Sequence, residues 1–154
     1  MIGTIFLSLV GYGTVIGLLC AVWKANARRW NRLARAYGAD SDLTSDATEC
    51  YATKTMQTVI LVGGNVGWNS YKGIVTVGVT HEGILLRVMT PFSAFHRPLL
   101  IPFREIHIQP RQWYLIGKTS QFTLNQVSDV QIIVHDETLQ WIESQVSQLA
   151  VAAG

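Results

Sequence analysis

Charged side chains are what this sequence has least of. Only 14% of its 154 residues are Asp, Glu, Lys or Arg, against roughly a quarter in an ordinary soluble domain. None of them precedes Lys24. The net charge of +2 is too small to argue for a nucleic-acid partner, which calls for an extended basic surface. Cysteine is scarce as well. Cys20 and Cys50 give no disulfide framework and are expected to be free thiols. Catalytic patterns are missing. His81, His96, His107 and His135 lie at no ligand spacing from one another or from a cysteine, so no metal is expected. There is no Ser-His-Asp order and no pair of carboxylates. Gly63-Gly64-Asn65-Val66-Gly67 is glycine-rich, yet it lacks the lysine and the strand-to-helix setting of a phosphate loop. The sequence therefore predicts no enzyme and no cofactor.

What is present is a long apolar run. Ile2 to Trp23 (IGTIFLSLVGYGTVIGLLCAVW) has hydroxyls and one thiol as its only polar groups. As a helix rising ~1.5 Å per residue it would match a ~30 Å hydrocarbon core. Residues 1–23 are thus predicted to be a transmembrane helix. A cleaved signal is disfavoured because the basic start and short apolar core of such signals are missing. Ala25-Asn26-Ala27 resembles a cleavage site but follows Trp23-Lys24. Leu19 before Cys20 is too large for a lipoprotein signal.

Five cations follow the run within a dozen residues: Lys24, Arg28, Arg29, Arg32 and Arg35. The positive-inside tendency then predicts a single-pass protein of the inner (cytoplasmic) membrane. Its N-terminus would lie outside and its C-terminal domain in the cytoplasm. Trp23 would be the interfacial anchor. Gly13, Gly17 and Ala21 make a small-residue ridge that lets another helix approach closely in lipid. With no ionisable group in the run, it holds rather than reacts.

Residues 24–37 keep helical periodicity. Trp30, Leu33, Ala34 and Tyr37 form one apolar stripe, with Arg28, Arg32 and Arg35 opposite. This basic amphipathic segment suits two uses: lying on anionic lipid headgroups, or packing its stripe on the following domain. Residues 38–50, with four anions between Asp40 and Glu49, read as an acidic linker whose charges suit the arginines upstream.

From residue 51 to 154 the period falls to two. Strands are predicted over Thr53–Val62, Gly73–Thr80, Ile84–Thr90, Leu99–Ile108, Gln112–Gly117, Gln121–Leu124 and Val130–His135. His81-Glu82-Gly83 makes a hairpin turn, and Pro102 marks an edge position or a bulge. Asp136 is expected to cap a helix over Glu137–Ala150. Its stripe is Leu139, Ile142, Val146 and Leu149.

Seven short strands and a closing helix resemble, in element order, the pleckstrin-homology and GRAM folds. The fold class implied is α+β, a transmembrane helix followed by a small antiparallel PH-like barrel or sandwich with a C-terminal α-helix. Two stretches, Trp30-Asn31-Arg32-Leu33-Ala34-Arg35-Ala36-Tyr37 and His96-Arg97-Pro98-Leu99-Leu100-Ile101-Pro102-Phe103, resemble small membrane-anchored bacterial proteins of uncharacterised function.

One more constellation stands out. Arg87, His96, Arg97 and Arg104 flank a loop carrying Phe92 and Phe95. Arginines beside aromatics fit a docking patch for a protein. The expected function is a non-catalytic accessory or scaffold subunit that docks onto a larger integral membrane protein complex, of respiratory or photosynthetic type. The alternative is a peripheral sensor that binds anionic lipid or a peptide through the PH-like domain.

Overall fold

The chain is described here by a computed structural model covering residues 2–39, 50–64, 67–113 and 117–152, with the side chains of the first helix described from Val10 onward. Two helices come first, α1 (Ile2–Asn26) and α2 (Arg28–Tyr37). They are joined at Ala27, whose backbone stays helical (φ −73°, ψ −4°) and whose N–H bonds the Trp23 carbonyl at 3.0 Å. Seven strands follow: β1 (Ala52–Gly63), β2 (Trp68–Val79), β3 (Gly83–Val88), β4 (Leu99–Pro102), β5 (Ile106–Trp113), β6 (Gly117–Leu124) and β7 (Val130–His135). The C-terminal helix α3 spans Asp136–Ala152.

Apolar residues at every second position give the strands one buried face. Val130, Ile132 and Val134 of β7, Phe122 and Leu124 of β6, and Val75, Val77 and Val79 of β2 all enter one core. The strands form a single antiparallel sheet ordered β4-β3-β2-β1-β7-β6-β5. β1 and β2 are each 12 residues long and pass through two register shifts between Lys54 and Val59. Met56 lies there at φ 57° and Gly73 at φ 66°. Such bulges bend a strand and sharpen its twist, so the sheet curls into a half-barrel.

Helix α3 lies across this curl, contacting β2 on one side and β6 and β7 on the other. Ile142 and Leu149 bury in the core, with Leu139 and Val146 packed against it. Its first turn is pinned three ways. Ser120 Oγ donates to Asp136 Oδ1 at 2.7 Å, Lys54 pairs with Glu137 at 3.0 Å, and Thr138 Oγ1 donates to Gln57 Oε1 at 2.7 Å. The Lys54 hydrogen bond and charge hold the Glu137 carboxyl below its usual pKa.

Helix α2 is part of the same core. Trp30, Leu33 and Tyr37 are buried there, with Ala34 packed against them. Past α2 the chain runs beside β4, where Gly38 bridges Leu99 and the Ala39 N–H bonds the Pro98 carbonyl at 2.9 Å. The remainder of the predicted acidic linker lies outside the described residues.

Several expectations need correction. Among the described residues no helix is long and apolar enough to cross a membrane. The transmembrane reading of residues 1–23 falls on this finding. So do the single-pass topology, the N-out orientation and the inner-membrane localisation built on it. The physical reason lies in the last turns of α1, which are engaged with the domain (Trp23 and Asn26, below).

The barrel is likewise not closed. β4 and β5 are both edges, and α3 rather than a strand ladder spans the opening. Gly73, predicted to begin a strand, instead sits inside β2, which starts at Trp68. The predicted strand over Gln112–Gly117 holds the end of β5 and the start of β6. Pro102 does end an edge strand, and Phe103–Glu105 follow as one 3-10 turn.

Trp30 is wholly buried, so Trp30→Ala should lower the unfolding free energy by about 3–5 kcal/mol. Denaturant titration followed by circular dichroism measures this. A loss below about 1 kcal/mol would mean that α2 is not part of the cooperative core.

Candidate docking face at the root of the first helix

Several long-range polar contacts of α1 and α2 lie where the two helices meet. The apolar stripe of α2 faces the half-barrel, and this carries Trp30 onto Tyr71 of β2 (centroids 5.2 Å apart) and onto His96 (5.6 Å), both edge-on. Trp30 Nε1 donates to the Arg97 carbonyl at 2.7 Å. About two turns earlier, Trp23 stacks tilted on His96 at 5.1 Å and on Phe92 at 6.1 Å. Its Nε1 donates to the Ala94 carbonyl at 3.1 Å. Two tryptophans thus clamp α1 and α2 against the segment 92–97. Edge-on aromatic pairs add about 0.5–1.5 kcal/mol each beyond their area burial.

His96 is the centre of this cluster and is buried. Its Nδ1 lies 2.8 Å from the Ala94 carbonyl and its Nε2 lies 3.2 Å from the Tyr71 hydroxyl. A carbonyl only accepts, so Nδ1 carries the proton and Nε2 of the neutral ring accepts from Tyr71. Burial lowers the pKa of His96 below its usual value, against the raising effect of the Ala94 hydrogen bond. Burial also pushes the Tyr71 hydroxyl well above 10, although Arg29 pulls it down. Tyr71 is placed 3.3 Å from the Asn26 carbonyl as well.

A second polar cluster holds the opposite side. Arg29 Nε donates to the Gly63 carbonyl at 2.7 Å, and its Nη1 donates to Asn69 Oδ1 at 2.5 Å. Asn69 Nδ2 in turn donates to Asn26 Oδ1. Gly63 has φ 99°, and a Cβ there would lie 2.0 Å from the Asp129 carbonyl oxygen, so only glycine fits this turn. Arg32 pairs with Asp129 at 2.7 Å.

The predicted basic collar is therefore divided. Arg29 and Arg32 fasten α2 to the domain. Lys24, Arg28 and Arg35 are exposed and, with Ala25 and Asn31, line a hollow of about 490 Å3 along the helix flank. The predicted ridge of Gly13, Gly17 and Ala21 lies on exposed helix, and a Cβ at Gly13 or Gly17 would meet nothing within 4 Å. The ridge serves no packing inside the described molecule.

The predicted docking patch is also split. Phe92 and Phe95 are 46% and 50% exposed on the turn that Trp23 grips. Arg97 adjoins it, and Arg87 lines a hollow of about 630 Å3 with Thr90 and Ser93. Arg104 belongs elsewhere, in the 3-10 turn at the far end of β4, where Phe103 N–H bonds the Glu82 carbonyl. His96 faces inward and is not part of any basic surface. The sequence did not single out Tyr71, Asn26 and Asn69. Asn26 sits seven residues from Leu33 and three from Trp23, so its place on the helix side that carries those two was the one available signal.

Beyond the clamp, α1 projects with Val10, Tyr12, Val15, Ile16, Leu18, Leu19 and Val22 all more than half exposed. These positions surround the helix instead of forming a stripe. A separate apolar groove of about 370 Å3 lies between α3 and the open side of the sheet, lined by Ile84, Phe103, Ile106, Ile108, Leu139 and Val146. Among the described residues no group of three His, Cys, Asp or Glu is placed to hold a metal. Compared with protein-family models, curated proteins and solved structures, the chain matches none.

The histidine gives a pH test. Its folded pKa is lowered, so its contribution to stability is complete above the unfolded value of about 6.5 and is lost as pH falls through the folded value. The unfolding free energy should therefore decline as pH falls below about 6.5. In His96→Gln, which keeps hydrogen-bonding groups but does not titrate, that decline should be shallower. Parallel curves for the two proteins would show that His96 is not held neutral by burial.

Proposed function

We propose that this protein is a non-catalytic accessory or scaffold subunit that docks onto a larger integral membrane protein complex, with α1 as its principal docking element. The observation that carries this reading is the exposure of α1. A helix that is apolar on all sides is stable only when covered on all sides, and exposed apolar patches beyond a few hundred Å2 mark interaction sites. The two-tryptophan clamp supports the same reading, since it gives α1 a set direction from the domain. A preset direction reduces the ordering entropy lost on binding. The ridge of Gly13, Gly17 and Ala21 offers a partner helix a place of close approach.

The groove beside α3 supports a second reading, a module that seats an extended apolar peptide. β5 is an edge strand, and Pro110 within it must turn its missing N–H away from β6. The backbone groups of Ile108 then face the free edge, where an added strand would pair, while the Ile106 N–H is taken by the Phe103 carbonyl.

A photo-reactive amino acid at Leu18 tests the first reading, with Gln140 on exposed α3 surface as control. Irradiation of cells should join Leu18, but not Gln140, to one discrete second protein rich in apolar helices. Adducts confined to a second copy of this chain, or no protein adduct at Leu18, would overturn it.

A further inference from the structure

Three features meet at the level where α1 leaves the domain. Trp23 brings the Pro91–Phe95 turn against the helix, so Phe92 and Phe95 stand exposed beside it. On another side the cleft between α1 and the β1–β2 turn is lined by Val22 together with Trp68, itself 48% exposed. On the flank, Lys24, Arg28 and Arg35 run along the helix pair with no hydrogen-bonded or ionic partner among the described residues. Exposed aromatics therefore surround the root of an apolar helix, and cations follow immediately on the polar side of the same level.

That sequence of zones (apolar, then aromatic, then cationic) has a physical counterpart. Indole and phenyl rings concentrate at the boundary between hydrocarbon and headgroups. Lysine and arginine extend long apolar stems with the charge at the tip, and they sit where anionic headgroups supply counter-charge. We infer that the domain face around the root of α1 is a binding surface for an anionic phospholipid headgroup layer. Lys24, Arg28 and Arg35 contact the phosphates, and Phe92, Phe95 and Trp68 lie at the boundary beneath them. Charge complementarity selects this occupant: Lys24, Arg28 and Arg35, which have no anionic partner among the described residues, fit an anionic surface and not a neutral one. The roles of Arg29 and Arg32 in holding α2 explain why only part of the basic segment is left for this purpose. This surface stands apart from the docking of α1 proposed above, and either can hold without the other.

Vesicle flotation of the full chain tests it. One set of vesicles is phosphatidylcholine alone, and the other carries phosphatidylglycerol as roughly a third of its lipid. Apolar α1 contributes to both sets, so the quantity to measure is the preference for the anionic set. Each cation near a charged surface favours binding about five-fold, and the three together roughly 100-fold. In the triple variant Lys24→Gln, Arg28→Gln, Arg35→Gln the preference should collapse while the thermal melt stays unchanged, because none of the three holds the fold. Raising the salt should weaken the wild-type preference in the same way. Phe92→Ser with Phe95→Ser should instead weaken binding to both vesicle sets alike. Equal binding of wild type to the two sets, or a preference that survives the triple substitution, would overturn the inference. So would loss of the preference on adding inorganic phosphate at matched ionic strength, since the site would then read free phosphate and not a headgroup layer.

Discussion

The burial of Trp30 is the contact on which the rest of the molecule depends. It lies wholly inside the half-barrel, edge-on to Tyr71 and His96, with its indole N–H held by the Arg97 carbonyl. With Leu33 and Tyr37 it makes α2 part of the core instead of an appendage. Because α2 is fixed, α1 is fixed also: the helical backbone continues through Ala27, and Trp23 repeats the attachment about two turns away on the same segment. Without this pair of indoles the apolar helix would be tethered but would have no direction.

The sheet supplies the other half of that arrangement. A half-barrel with edges at β4 and β5 cannot close through its own strands. Two helices complete it from different sides, α3 across the opening and α2 beneath the β1–β4 half. The polar groups forced inside at the join are satisfied locally. Arg29 fills the acceptors of Gly63 and Asn69, and Asn26 completes the chain. Arg29 is partly buried, and these acceptors satisfy its guanidinium where the domain displaces water, so this network makes the docked geometry of α2 self-consistent.

Much of this was legible from residue spacing. The stripe Trp30, Leu33, Tyr37 marked the apolar face of α2 through its 3.6-residue period, but left open whether lipid or the domain covers it. Val130, Ile132 and Val134 identified the inner face of β7 in the same way. The long bent strands were not legible, since Gly73 reads as a strand boundary and only its positive φ shows a bulge within one strand. The membrane-spanning reading followed composition alone, which does not register that Trp23 and Asn26 face the domain. Composition also counted five equivalent cations. Local sequence has no means of separating Arg29 and Arg32, whose partners are 34 or more residues away, from Lys24, Arg28 and Arg35. The cluster of Tyr71 with His96 was invisible for the same reason, as its members are 25 residues apart and meet only through the turn before β4.

The clamp at the root of α1 is open to direct measurement. Cys20 is exposed on α1 and accepts a spin label. A second label at Thr53→Cys on β1, with Cys50→Ser, gives one helix-to-sheet distance by pulsed electron paramagnetic resonance. A single narrow distance distribution is expected for the chain with both tryptophans intact. Trp23→Ala should broaden it, since helix α1 would then be held only by the join at Ala27 and the contacts of Asn26. A distribution already broad with both tryptophans in place would contradict the clamp, and with it the claim that the domain presents α1 in a fixed direction.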